Sequence, residues 1–262
     1  MSTRPITTVT STTGTSTSGR STVAAVALLL ALLASACNPF GGDAELQGEV
    51  YPTAPSSPGI ANLYTASSTR AVVTDDHIVI YDSPDGDTLQ TLPGATSFGT
   101  TRVMLVEAMA GDWIQVRLPT RPNHRLGWVR ASDVTIETVE PVVHIDIEAR
   151  TLTVVSGDEV VAQATVAVGT EDNPTPRGTF YVTDKLETPN PHGAYGPYAL
   201  GLSGYSETLS EFAGGNGQIG IHGTNDPGSL GQAVSHGCIR LPNEVATWLA
   251  DVLPLGTPVH IV

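Results

Sequence analysis

The chain has 262 residues, enough for one large domain or two modest ones with adequate cores. It carries 26 acidic against 12 basic residues, a net charge of −14, and Lys185 is its only lysine. No basic stripe or arginine-rich run is present to hold nucleic acid, two cysteines are too few for a disulfide framework, and the acidity reads as solubility at a salty or crowded exterior.

Residues 1–36 contain no acid; a Ser/Thr-rich stretch with Arg4 and Arg20 leads into the apolar run VAAVALLLALLA, Val23 to Ala34. That run falls short of the ~20 residues that span a bilayer and fits the core of a signal peptide, so residues 1–36 are expected to direct export. The junction Ala34-Ser35-Ala36-Cys37 resembles that of bacterial lipoproteins, in which the cysteine becomes the lipidated first residue. Ala34 stands where that signal usually has Leu, and Ala-Ser-Ala also fits ordinary cleavage, which would leave Cys37 unmodified. Lipidation at Cys37 is the preferred reading, and it implies a membrane anchor. It would also leave Cys238 a free thiol in an exported protein, and because such thiols are easily oxidised their retention usually has a chemical reason.

Residues 37–70 are rich in Gly, Pro, Ser, Thr and Ala without apolar periodicity, and read as a flexible tether. About 30 such residues have an r.m.s. span near ~30 Å and approach ~100 Å when stretched. Residues 71–137 show short alternating apolar segments separated by turns: HIVIYDSPDGD, RVMLVEAMAGDWIQVRLP and LGWVRASDVTIE. Pro84-Asp85-Gly86-Asp87 is turn chemistry, and Gly111-Asp112 precedes a strand from Trp113 to Leu118. The pattern predicts a small β-barrel, with Trp113 and Trp128 as core residues. An early strand ending in a turn, then G-D-W-x-x-V, then G-W-V-x-x-x-x-V resembles the bacterial SH3-like family, which implies a binding or positioning module.

Pro141 opens a second unit, residues 141–262. VVHIDIEARTLTVV and EVVAQATVAVG alternate and are β-branched, as in two adjacent strands joined at Ser156-Gly157-Asp158, and GTFYVTDKL reads as a third. Thr188 to Gly217, rich in Gly, Pro, Tyr and Ser, reads as a long functional loop. One helix is predicted: Asn243 caps it, Val245, Trp248, Leu249 and Val252 form its apolar stripe, and Pro254 ends it. The class is mainly β.

Two blocks in this unit carry unusual chemistry: IGIHGTNDPGSLG, with His222, and VSHGCIRL, with His236, Cys238 and Arg240. The loop between them is rich in Gly, Pro, Asn and Asp, and can fold back to bring its ends together. A thiol is mostly protonated at neutral pH, so a nearby imidazole is needed to take the proton or to stabilise the thiolate. Gly237 permits a tight turn from which its N–H and that of Cys238 face a developing oxyanion. Arg240 offers bidentate geometry to a substrate carboxylate. A buried apolar role for Cys238 competes, as does zinc bound by His222, His236 and Cys238, although that spacing matches no common zinc motif. A His–Cys peptidase of another kind is also compatible.

The combination resembles the L,D-transpeptidase catalytic domain, the YkuD family. Its hallmark is an upstream His-Gly and a downstream Ser/Thr-His-Gly-Cys followed by an aliphatic residue and Arg or Asn. NPTPRGTFYV resembles the family's T-P-x-G-x-F strand entry, with Asn173 where a small residue or Thr is common, and YGPYALGLSG, with Tyr198, resembles its substrate-side segment. The resemblance implies a β-sandwich-type catalytic domain in which Cys238 is the nucleophile and His222 the general base, oriented by the Gly223 carbonyl. It casts His236 and Gly237 as shaping the oxyanion pocket, Arg240 and Tyr198 as binding the stem peptide, and Ser235 as binding substrate or supporting the turn. It further implies 3→3 cross-linking of peptidoglycan stems with release of terminal D-alanine, no metal or organic cofactor, and acylation by carbapenems. Water as acceptor would make the chain an L,D-carboxypeptidase, and loss of turnover would leave a wall-binding lipoprotein.

Overall fold

A computed structural model of the chain describes residues 67–262. The expected signal peptide, Cys37 and most of the expected tether lie outside the described residues. The first strands are β1 (Ser68–Val73), β2 (His77–Tyr81), β3 (Thr88–Pro93), β4 (Val103–Ala110), β5 (Trp113–Arg117), β6 (Leu126–Arg130) and β7 (Val134–Val139). They form one seven-stranded sheet in the order β3-β2-β6-β5-β4-β1-β7, antiparallel throughout. β1 starts inside the stretch read as tether, because Ser68 to Val73 pairs residue by residue with β7. Alternation sets the buried face: Ile78 and Ile80 are buried while Val79 and Tyr81 are half-buried. Gly111-Asp112 joins Ala110 to its partner Trp113, with Gly111 at φ +60°, the left-handed geometry that two-residue hairpins need. Trp113 is buried and Trp128 half-buried.

The second set is β8 (Pro141–Asp146), β9 (Thr151–Ser156), β10 (Glu159–Thr165), β11 (Val168–Gly169), β12 (Gly178–Glu187), β13 (Tyr198–Tyr205), β14 (Gln218–His222), β15 (Ala233–Ser235), β16 (Ile239–Arg240) and β17 (Pro258–Ile261), with α1 (Asn243–Val252) before β17. The order β10-β9-β8-β17-β12-β13-β14-β16 makes an eight-stranded sheet, and β11 pairs separately with β15. The long strand β12 joins two halves: Gly178 to Tyr181 pairs with β17, and beyond Val182 it pairs with β13 after a bulge. One hydrophobic cluster draws on both halves and on α1, including Val143, Leu152, Leu200, Ile221, Val259 and Leu249. Burial of each such side chain contributes about 2 kcal/mol against the unfolded chain.

Two details of the expected layout change. β13 occupies the middle of the Thr188–Gly217 stretch read as loop. Its small residues Gly201, Ser203 and Gly204 hide the strand, while Leu200 and Leu202 supply the buried face. Asn243 is the first residue of α1 rather than its cap, which is Pro242. Its carboxamide instead accepts the Thr224 N–H at 2.7 Å.

The two sheets share a packed boundary. Tyr181 of β12 is fully buried in the core of the β1–β7 sheet, and its hydroxyl donates to the Arg117 carbonyl at 3.1 Å. Arg70 donates to Glu137 and to the Leu255 carbonyl. Among the described residues the architecture is mainly β with one α-helix, the class expected.

Candidate active site

Register decides which side chains meet. β14 and β16 are parallel neighbours, with Ile221 opposite Ile239 and His222 opposite Arg240. Side chains alternate across a strand, so Ile221 and Ile239 enter the core while His222 and Arg240 share the other face, and the same alternation carried one residue before β16 turns Cys238 toward it. Cys238 and His222 stand one strand and two residues apart, about 8 Å between Cα atoms from standard sheet spacings. The foldable loop therefore does bring its two ends together, through parallel pairing that neither block could form alone.

His222 is 5 % exposed, and its Nδ1 lies 2.6 Å from the Gly223 carbonyl oxygen. A carbonyl only accepts, so Nδ1 carries the proton and Nε2 keeps its lone pair. Burial drives the imidazole pKa down to about 4; the Gly223 hydrogen bond opposes this and the Arg240 charge adds to it. Burial likewise pushes the Cys238 thiol up, against smaller downward effects of a backbone hydrogen bond with Gly220 and of Arg240. The resting pair is a neutral thiol and a neutral imidazole. Of the two modes of activation open from sequence, this electrostatics favours proton acceptance by the imidazole over a standing ion pair.

Cys238 follows a braced turn. Gly237 has φ +114°, and a Cβ there would approach Ile219 Cδ1 to 2.9 Å, so the position demands glycine. The Ser235 hydroxyl donates to the Cys238 carbonyl at 2.6 Å and accepts the Gly237 N–H at 3.1 Å. Ser235 is only 2 % exposed, so a substrate-binding role is replaced by support of the turn. The Gly237 N–H, expected to face an oxyanion, is spent on Ser235. Thr175, given no role from sequence, buries a hydroxyl that donates to the Gly237 carbonyl and accepts the Gly169 N–H, both at 2.9 Å.

Two other expected positions also move. Tyr198 sits on the face of β13 that carries Leu200, packed against the core, whereas its neighbour Ala199 pairs with His222. Tyr198 therefore points away from Cys238, and the tyrosine that reaches the site is Tyr195. Its ring meets that of His222 at 4.7 Å between centroids, and its hydroxyl feels both Cys238 and Arg240. The signal for it lies in the two glycines Gly196 and Gly223, whose backbones pack so closely that a Cβ on Gly196 would come within 2.6 Å of the Gly223 Cα. His236 is exposed and stacks on Phe212 at 4.6 Å. Among the described residues no three His, Cys, Asp or Glu side chains gather as a metal-binding group.

Arg240 is half-buried and makes no ion pair with the acids of the described residues, which leaves its guanidinium available at the site. A pocket lies toward each end of β14. One of about 500 Å³, past its C-terminal end, is lined by residues such as His192, Thr224 and Glu244. The other, of about 460 Å³, lies where the two sheets meet and includes Arg102, Asp184, Tyr205 and Gln218.

A thiol and an oriented neutral imidazole on one sheet face place this mainly β chain in the class of cysteine–histidine proteins. Residues 140–261 match the YkuD family model, described as the L,D-transpeptidase catalytic domain. YkuD of Bacillus licheniformis is 33 % identical over 191 residues, covering 70 % of this chain and 99 % of that protein. L,D-transpeptidase 1 of Mycobacterium tuberculosis is 26 % identical over 216 residues, covering 78 % of this chain and 85 % of that protein. A solved L,D-transpeptidase from Mycobacterium smegmatis overlays with a TM-score of 0.39 at 22 % identity, over 61 % of this chain and 89 % of that one. The chain belongs to the YkuD family of L,D-transpeptidases.

Proposed function

We propose that the chain is a peptidoglycan L,D-transpeptidase with Cys238 as nucleophile and His222 as general base. The observation that carries this reading is the His222 imidazole, with Nδ1 bound to Gly223 and Nε2 left to accept a proton, opposite Arg240 across β14 and β16 and covered by Tyr195, which also feels Cys238. In the first half-reaction His222 Nε2 takes the thiol proton as sulfur attacks the carbonyl carbon of the stem's third residue. The oxyanion meets the Cys238 N–H, which donates to no acceptor among the described residues. Collapse breaks the bond to the terminal D-alanine, whose nitrogen takes the proton from His222, and a thioester remains. An amine of a second stem then attacks the thioester and gives its proton to His222; the C–S bond breaks, His222 returns the proton to the sulfur, and a 3→3 cross-link and the restored thiol remain. Arg240 pairs with the terminal carboxylate of the donor stem. His236 and Gly237 shape the turn beside the oxyanion.

The wider context belongs to the same proposal. Residues 1–36 direct export, Cys37 carries the lipid, and an SH3-like unit over residues 71–137 stands between that anchor and the catalytic unit over 141–262. Among the described residues no helix is long and apolar enough to cross a membrane. The substrate is the wall, outside the cytoplasm.

The test is incubation of the exported form with disaccharide-tetrapeptides, with products identified by mass spectrometry. Cross-linked dimers support transpeptidation, tripeptide alone makes the chain an L,D-carboxypeptidase, and untouched substrate removes the enzyme reading in favour of a wall-binding lipoprotein.

A further inference from the structure

The loop between β13 and β14, residues 206–217, reaches the site at its tip and is tied to the β1–β7 sheet at its root. At the tip Phe212 and Gly215 exchange both backbone hydrogen bonds across Ala213 and Gly214, each at positive φ, which makes a tight two-residue hairpin. Phe212 at its corner lies on His236. At the root, Arg121 from the connection between β5 and β6 donates to three carbonyls: Ser206 and Leu209 on the outgoing arm and Asn216 on the returning arm. Its guanidinium also stands over the Tyr205 ring, 4.9 Å from the centroid. Asn123 completes the grip, accepting the Tyr205 N–H at 2.9 Å and donating to the Tyr205 carbonyl at 2.8 Å. The planar guanidinium suits this task, since its donors are fixed in a fork and can serve carbonyls from both arms at once.

We propose that Arg121 is a positioning residue of the active site: it clamps both arms of the 206–217 loop so that Phe212 stays on His236 as one wall of the stem-peptide groove. The β1–β7 sheet then does more than space the catalytic unit from its anchor, because it supplies the part that fixes the groove's cover. The inference rests on the acyl-transfer reading of Cys238. A wall held in place lowers the ordering cost of binding and leaves the chemical step alone, so its loss falls on KM.

The test compares Arg121→Ala, Phe212→Ala and the double variant with the wild-type full chain in tetrapeptide turnover. Arg121→Ala is expected to raise KM about tenfold, the scale of one charge-assisted anchor, with kcat within about twofold. Phe212→Ala is expected to do the same, and the double variant to add nothing further, because the two act through one loop. Arg121→Lys keeps the charge without the fork and is expected to fall between; it also carries the test if Arg121→Ala melts early. Unchanged KM in Arg121→Ala, or additive effects in the double variant, would overturn the proposal. Limited proteolysis within the 206–217 loop gives a readout independent of turnover: Arg121→Ala, having lost the three carbonyl bonds, is expected to be cut there several-fold faster, and a rate equal to wild type would also overturn the proposal. If wild type turns over no stem, the transpeptidase reading fails while the proteolysis arm still decides the clamp.

Discussion

His222 Nδ1 donates to the carbonyl of its own chain neighbour, Gly223, across 2.6 Å. That single bond fixes the tautomer and leaves Nε2 as the basic nitrogen, without a carboxylate in the third position. A carboxylate there would raise the imidazole pKa; a carbonyl raises it less, and burial wins, holding the ring at about 4. The site therefore holds an uncharged imidazole across the neutral range.

This has a consequence for stability. The folded imidazole titrates at about 4 against the ordinary 6.5 of the unfolded chain. Between those values the unfolded chain binds a proton that the folded chain excludes, so stability rises with pH through that window. The contribution is fully present above about pH 6.5 and is lost as pH falls toward 4, about 3 kcal/mol in all. Urea melts across pH 4–7 should show this slope, and His222→Asn should flatten it. An equal slope in the variant would mean that other groups carry it.

Tyr195 bears on the same quantity. Its ring covers that of His222, 4.7 Å away. Tyr195→Ala admits water to the imidazole, and its pKa should climb from about 4 toward 6.5, read by nitrogen-15 NMR titration. The acylation rate of the variant should then fall below about pH 6, where the wild type stays flat. A variant that titrates as wild type does would show that Tyr195 contributes no desolvation.

Much of this site is legible in the sequence. Cys238, His222, Gly223 and Arg240 follow from the two short blocks, and parallel pairing of β14 with β16 sets His222 opposite Arg240. Tyr198 is misplaced by sequence reasoning because tyrosine type alone does not reveal parity along a strand: one residue of register turns a side chain from groove to core. Thr175 stands in the T-P-x-G-x-F strand entry, but its role is held through the Gly169 and Gly237 backbones and so is not legible from residue types. The pKa directions are hidden as well. Spacing puts an imidazole near a thiol, but the burial that keeps both neutral belongs to the assembled sheet.

Thr175 offers a sharp test of the braced turn. Thr175→Val keeps the shape and deletes the hydroxyl, leaving the Gly169 N–H and the Gly237 carbonyl unpaired inside the protein. Each unpaired group costs about 1–3 kcal/mol, so the melt should show a loss of about 2–6 kcal/mol together with slower acylation of Cys238. Thr175→Ser retains the hydroxyl and should keep near-wild-type acylation. Equal behaviour of the Val and Ser variants would show that the hydroxyl does not hold the turn.

The most direct test of the central claim is the mass of the protein itself after brief incubation with a tetrapeptide stem. A Cys238 nucleophile predicts one added tripeptide acyl group, located by proteolysis on the peptide that contains Cys238, with one D-alanine released per adduct. Cys238→Ala should show neither. An adduct on another residue, or equal D-alanine release by Cys238→Ala, would contradict the account.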